Sequence, residues 1–503
     1  MRQPATLPAR SPVAGLRRRR LSFVEVLAQS VSALAPSAAM VAVPALVLVP
    51  AGAATPWVLL AATALLVGVG WCLTQFARRM AAVGGLYSYT AKGLGPAGAL
   101  VAGWALVIGY ASVGVSALAG AGAYLGSLLG LAPTPLTSAL LAALLGLAAV
   151  AATLRGIALS ARLALGLEVV SIALVVAVLT ALVVLERGTG AVNEVTTATP
   201  GPGGLAVGAV LAVAGFMGFE SASTLGVEAR RPLVAVPRAV LWTPVVAGVL
   251  FLAAGAAQVL LLRTAPADVL DSAVPVGRLA DLQGLGVLSG LLDAGIVASF
   301  FACVTGSVNA LGRVLFSMGR ERVLPAAAGR TSRRFGTPWV ALLSVLPLVA
   351  GVPVVLLAAG VAPRTVLAGS LTVSAMGYLL AYVLACAAMP RFLRRIGELT
   401  PGPLVGGVLA AVLGSLVLLG AVLLGGAVVA VFVVLWLGGP LLWLFWRLRD
   451  PDRLAGGGVY DSATTGSVLA PPGGGGGGRP RGGGAAGPAR GRAPPPAGGP
   501  PPP

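Results

Sequence analysis

The chain is 503 residues long; 57% of its residues are apolar and only 10% charged, with 34 Lys and Arg against 15 Asp and Glu and no histidine. So little charge at this length excludes a soluble globule and leaves a membrane as the solvent. The missing histidine excludes a Ser-His-Asp triad and an imidazole metal site, and only the placement of the +19 net charge can decide between nucleic-acid binding and membrane topology.

Residues 1–20 hold six arginines, including the run Arg17 to Arg20, and read as a basic cytoplasmic tail. The apolar stretch that follows is too long for the h-region of a signal peptide and more such stretches follow, so an uncleaved first helix is expected. A span needs about 20 largely apolar residues to cross a hydrocarbon layer of about 30 Å. About twelve are predicted, at 22–49, 56–77, 97–129, 135–153, 160–185, 204–228, 236–262, 286–318, 337–358, 362–388, 404–423 and 427–447.

Span 1 is interrupted between Ser32 and Ala39, where Pro36 removes a backbone donor and small neighbours leave the main chain approachable. Between spans 2 and 3, Tyr87 and Tyr89 lie near Arg78 and Lys92 and read as interfacial aromatics. Span 5 carries Glu168. Span 6 is interrupted at Gly215-Phe216-Met217-Gly218-Phe219-Glu220, with two glycines flanking an aromatic and a carboxylate behind them. Span 8 carries Asp293 together with Ser299, Thr305 and Ser307. Cys72, Cys303 and Cys386 fall inside spans, with neither disulfide nor metal spacing. After span 12, residues 451–503, with the glycine run Gly473 to Gly478 and a Pro-Pro-Pro end, cannot bury a core and read as a disordered cytoplasmic tail.

With the N-terminus inside, 30 of the 34 basic residues fall on one side of this layout, and only Arg187, Arg263, Arg278 and Arg364 fall outside. That asymmetry follows the positive-inside rule and predicts two cytoplasmic termini in a multi-pass protein of the cell membrane. The basic charge is accounted for by orientation, with no nucleic-acid partner.

Spans 1 and 6 hold the same place in two sets of five, about 21–185 and 204–388, and an odd number per set makes the second an inverted copy of the first. Matched interruptions in two inverted halves point to a midplane substrate site. Half-helix N-termini suit a substrate carboxylate, and half-helix C-termini offer carbonyls to an ammonium. Ionisable groups inside the apolar layer are costly and are functional candidates. Glu220, beside the second interruption, is the first choice for a coupling group that loads and releases a proton, or for a group that holds the bundle; Glu168 is the second, and Asp293 lies near a span end. Ser299, Thr305 and Ser307 are possible oxygen ligands for sodium, although such hydroxyls usually bond their own helix.

Three stretches carry a family resemblance. The first is Gly84-Gly85-Leu86-Tyr87-Ser88-Tyr89 with Gly93-Leu94-Gly95 and Gly103-Trp104. The second is Phe216 to Glu220 with Glu228-Ala229-Arg230-Arg231-Pro232 and Pro237-Arg238-Ala239. The third is Asn309 to Arg313 with Met318 to Glu321, Leu324-Pro325 and Thr337-Pro338. In their order and spacing, over about 20–450, they resemble the amino acid–polyamine–organocation superfamily. The resemblance implies an all-α integral membrane protein of the leucine-transporter type: two inverted five-helix repeats within 21–450, plus two C-terminal helices at about 404–447. It implies that Ala35, Pro36, Ser37 and Ala38 meet a substrate carboxylate, that Gly215, Phe216, Met217 and Gly218 meet its amino group and side chain, and that Phe216 resembles an aromatic lid. Relatives often carry two acids before the Arg-Pro stretch, whereas Val227-Glu228 supplies one, which weakens the analogy to a cytoplasmic gate. A proton mechanism through a span 5 lysine is absent, because the single lysine, Lys92, lies elsewhere.

The expected function is therefore secondary active transport of an amino acid or related amine by alternating access, coupled to H+ or Na+ or run by exchange. No catalytic residue, metal site or cofactor motif is present, and membrane lipids are the expected surroundings. Alternatives are a polyamine or organic-amine carrier of the same fold, or a sensor or partner subunit that binds without flux.

Overall fold

The computed structural model describes residues 16, 18–155, 160–185, 199–332, 337–424 and 426–450. The expected tail 451–503 and most of 1–20 lie outside them, as do Arg187, Arg333 and Arg334. The fold is all-α and multi-pass. Its helices are α1 (Phe23–Leu34), α2 (Pro36–Ala51), α3 (Thr55–Ala77), α4 (Leu86–Leu128), α5 (Pro135–Arg155), α6 (Ser160–Leu185), α7 (Pro202–Ala214) and α8 (Pro232–Leu262). Next come the short α9 (Ala267–Asp271) and α10 (Pro275–Leu282), then α11 (Gly286–Arg320), α12 (Trp339–Ala358), α13 (Pro363–Arg395), α14 (Pro401–Leu424) and α15 (Ala427–Arg449). A 3₁₀ segment, Phe219–Leu225, follows α7 at a bend of 40°.

Among the described residues, ten apolar helical stretches are long enough to cross a membrane, and the bent pair Pro202–Ala214 with Phe219–Leu225 makes an eleventh. The first stretch, Phe23–Ala77, has 55 residues, about 80 Å at 1.5 Å per residue and far more than one pass needs. It folds back at Gly52 (φ 50°) and the 3₁₀ turn Gly52–Ala54. A methyl built on Gly255 would meet both Leu59 and Pro44, so residues flanking that turn stand side by side as in a hairpin. Counted as two passes, this stretch brings the total to the expected twelve. Large apolar side chains that face no protein, such as Val184, Leu348 and Leu423, suit a hydrocarbon solvent, while backbone groups bond within their helices.

The clearest departure from expectation is at the start of α4. The segment between the predicted spans 2 and 3 is helical from Leu86, and Tyr87 and Tyr89 are buried rather than interfacial. Gly95 (φ 80°) followed by Pro96 breaks this helix after its first turns, which lets the segment pack as a separate unit. Gly93 sits so close to α13 that an added methyl would come 2.2 Å from the Ala388 carbonyl oxygen, and Tyr89 stacks on Phe76 at 5.0 Å.

Candidate functional site

The break in the first pass follows from two adjacent residues. α1 opens on a capping box, in which the Ser22 N–H donates to Glu25 Oε2 at 2.7 Å. It ends at Ala35, which is left-handed (φ 52°, ψ 65°). Pro36 disfavours the helical region for its predecessor, and its fixed φ suits the first position of α2. A non-glycine residue in this conformation costs roughly 1–2 kcal/mol, tolerated here because both half-helices are anchored.

In the second break the chain leaves α7 at Gly215, turns, and passes Gly218 (φ 97°) into the 3₁₀ segment. The two breaks touch: a methyl on Gly218 would come 2.7 Å from the carbonyl carbon and oxygen of Ala33. Cross-bonds join them. The Ser30 hydroxyl donates to the Phe219 carbonyl at 2.6 Å and accepts from the Ala222 N–H at 3.3 Å, and the Ser221 hydroxyl donates to the Gln29 carbonyl at 3.1 Å. α11 closes the third side. The Gln29 side-chain amide donates to the Gly306 carbonyl at 2.9 Å, the Cys303 thiol donates to the Ala33 carbonyl at 3.2 Å, and a methyl on Gly306 would meet the Ala33 nitrogen at 2.8 Å. Backbone groups released by the unwound turns thus find partners inside the bundle, as a low-dielectric interior requires.

Both singled-out glutamates converge on these breaks. Glu168 of α6 accepts at Oε1 from the Ser37 N–H (2.7 Å) and from the Ser299 hydroxyl (3.1 Å), and so caps the N-terminus of α2. Glu220 is fully buried and held by two phenols: Tyr110 of α4 donates to Oε1 and Tyr382 of α13 to Oε2, each at 2.6 Å. Tyr378 completes this aromatic cluster, 5.1 Å from the Tyr110 ring and 5.9 Å from the Tyr382 ring, with a hydroxyl that has no partner among the described residues. Asp293 does not join the breaks; it packs against α10 at Gly277.

Phe216 and Met217 are buried, and Phe216 sits edge-on against Phe251 of α8 at 5.0 Å. Ala35, Pro36, Ser37 and Ala38 are likewise buried. The three span 8 hydroxyls do not converge. Ser299 turns to Glu168, Thr305 bonds the Ala302 carbonyl of its own helix at 3.0 Å, and Ser307 lies 3.9 Å from the Cys303 sulfur. Among the described residues no cluster of three His, Cys, Asp or Glu side chains offers a metal site.

Toward one face of the bundle, Arg313 of α11 pairs with Glu228 at 2.9 Å through Nε and Nη2, both side chains being largely buried. Over this pair lies the segment before α1. The N–H groups of Arg20 and Leu21 donate to the Glu228 carbonyl at 2.7 and 2.9 Å, and the Arg230 N–H donates to the Leu21 carbonyl at 2.9 Å. One acid therefore suffices for an ion pair here. Sequence reasoning missed Tyr110 and Tyr382 as partners of Glu220; their signal was a phenol in the middle of an apolar span, where a hydroxyl needs an acceptor. It also missed Gln29 and Gln258. The latter donates to the Met40 carbonyl at 2.6 Å.

The sequence model of the family described as "Amino acid permease" matches residues 21–446. An uncharacterized transporter of Mycobacterium tuberculosis is 28% identical over 428 residues, covering 83% of this chain and 90% of its own length. The branched-chain amino acid permease BcaP of Lactococcus lactis is 31% identical over 120 residues, 24% of this chain and 25% of its own; that of Bacillus subtilis is 24% identical over 141 residues, 28% of this chain and 30% of its own.

Proposed function

The chain belongs to the amino acid permease family, a membrane transporter and not an enzyme, and from that premise we propose that it moves an amino acid or related amine across the cytoplasmic membrane by alternating access. The observation that carries the reading is the contact between two broken passes, Gly218 seated on Ala33, with unwound backbone and buried carboxylates gathered where they meet. In a lipid-spanning bundle, irregular backbone is tolerated where it lines a site. The substrate would bind between Ala35, Pro36, Ser37 and Ala38 on one side and Gly215, Phe216, Met217 and Gly218 on the other.

Glu220 and Glu168 are the coupling candidates, since each is a buried carboxylate beside a break and able to carry a proton. The scattered hydroxyls of α11 favour H+ over Na+. The Arg313–Glu228 pair, with the chain of Arg20 and Leu21 laid over it, serves as a gate on the cytoplasmic side, in keeping with the arginine asymmetry that puts both termini there. Domain limits follow the same reading: a basic tail at 1–20, the carrier at 21–450 built from inverted repeats plus two helices, and a tail at 451–503.

The test is uptake into proteoliposomes of a panel of labelled amino acids, polyamines and small amines, with and without an imposed proton gradient and with preloaded substrate. Flux that depends on a gradient or on exchange is expected. Binding without flux for every member would refute carriage and favour a sensor.

A further inference from the structure

We infer that Glu168 fills the seat that a half-helix N-terminus offers an anionic substrate group, so that the cargo of this carrier is an amine without an α-carboxylate. The inference rests on the carrier reading above. It comes from accounting for the donors of α2. A helix leaves its first amides unbonded, and those amides with their partial positive charge are what would hold a substrate carboxylate. In this chain they are all taken. Pro36 has no N–H; the Ser37 N–H goes to Glu168 Oε1 at 2.7 Å; the Ala38 N–H goes to Ser299 Oγ at 3.4 Å; and the Ala39 N–H goes to the Ala35 carbonyl at 2.9 Å. Ser299 in turn donates to Glu168 at 3.1 Å, so carboxylate and hydroxyl form one built unit. An incoming carboxylate would find none of these amides free and would face another carboxyl group.

What this unit leaves open suits a cation. Glu168 is 3% exposed, and among the described residues no Lys or Arg lies within ion-pair distance of it. A carboxylate can accept about four hydrogen bonds, yet both bonds to Glu168 fall on Oε1 and none from the described residues reaches Oε2. Beside it the Ser37 hydroxyl is fully buried, close enough to add a side-chain hydrogen bond to the same carboxylate, and its oxygen accepts from no donor among the described residues. A buried charge is retained where it meets an opposite one. A primary ammonium brings three donors and no acceptor, and Oε2 with Ser37 Oγ gives it two places to put them.

The experiment uses matched pairs, each an amino acid with the amine left when its α-carboxylate is removed: leucine with 3-methylbutylamine, lysine with cadaverine, arginine with agmatine. The full chain in proteoliposomes is expected to take up a labelled amine, with the matched amino acid failing to compete in large excess. In Glu168→Gln the amine's KM should rise by at least about tenfold, the loss of a charge-assisted hydrogen bond, while inhibition by the matched amino acid strengthens. Amino acids carried, or competing, as well as their amines would overturn the inference and leave the carrier intact. A Glu168→Gln protein with unchanged amine preference would overturn it too. Absence of flux for every pair under every gradient would overturn both. The wild-type competition decides the matter even if the variant does not fold.

Discussion

Three tyrosines around Glu220 offer one conservative change with two different expected results. Tyr382 and Tyr110 each donate at 2.6 Å to a different oxygen of this fully buried carboxylate, whereas the hydroxyl of Tyr378, in the same cluster, has no partner among the described residues. Replacing Tyr by Phe removes one oxygen and keeps the ring, so packing is constant across the set. A hydrogen bond to a charged group contributes about 1.5–3 kcal/mol, so Tyr382→Phe and Tyr110→Phe should each cost about 2 kcal/mol. Tyr378→Phe should be neutral or stabilise by about 1 kcal/mol, because burying an unbonded hydroxyl costs free energy. In a Glu220→Gln background the Tyr382→Phe cost should shrink to about 1 kcal/mol, that of a neutral hydrogen bond, and the cycle isolates the charge. The assay is thermal unfolding of the purified protein in detergent, with the midpoint falling by a few degrees for Tyr382→Phe and Tyr110→Phe. Equal midpoints for Tyr382→Phe and Tyr378→Phe would refute the reasoning.

Gly218→Ala combines a left-handed backbone with a methyl 2.7 Å from Ala33; strain and overpacking together should cost roughly 2–4 kcal/mol and abolish uptake, whereas Gly166→Ala, where nothing lies within 4 Å, should be neutral or stabilise by up to about 1 kcal/mol. Comparable melting of the two variants would contradict direct contact between the breaks. Removing one partner of the largely buried Arg313–Glu228 pair should cost about 3 kcal/mol; Arg313→Glu should stop uptake and the exchange Arg313→Glu with Glu228→Arg should restore part of it. No recovery in the double variant would argue against the pair acting as a unit.

Much of the candidate site was legible as positions, little of it as contacts. Pro36 marked the first break because a missing donor and a restricted predecessor act within two residues. Gly215 and Gly218 marked the second for a similar reason. Glu168 and Glu220 stood out because a carboxylate is rare in an apolar span. The helix from Leu86 was missed: it falls between the predicted spans 2 and 3, and Gly95 with Pro96 separates it from the rest of α4. The Arg313–Glu228 pair was underrated because one acid stood where relatives often carry two.

The sequence by itself determined the solvent, the number of passes, the place of both breaks and the family, since hydropathy, helix interruption and motif order are properties of contiguous chain. Tertiary structure alone decided the partners. Glu168 meets Ser37 across 131 residues, and Glu220 meets Tyr110 and Tyr382 across 110 and 162. Those pairings depend on which helix faces meet and at what depth. In a chain apolar all round, that is set by the close approach of small residues such as Gly218 and Gly306, not by a polar stripe that could be read beforehand.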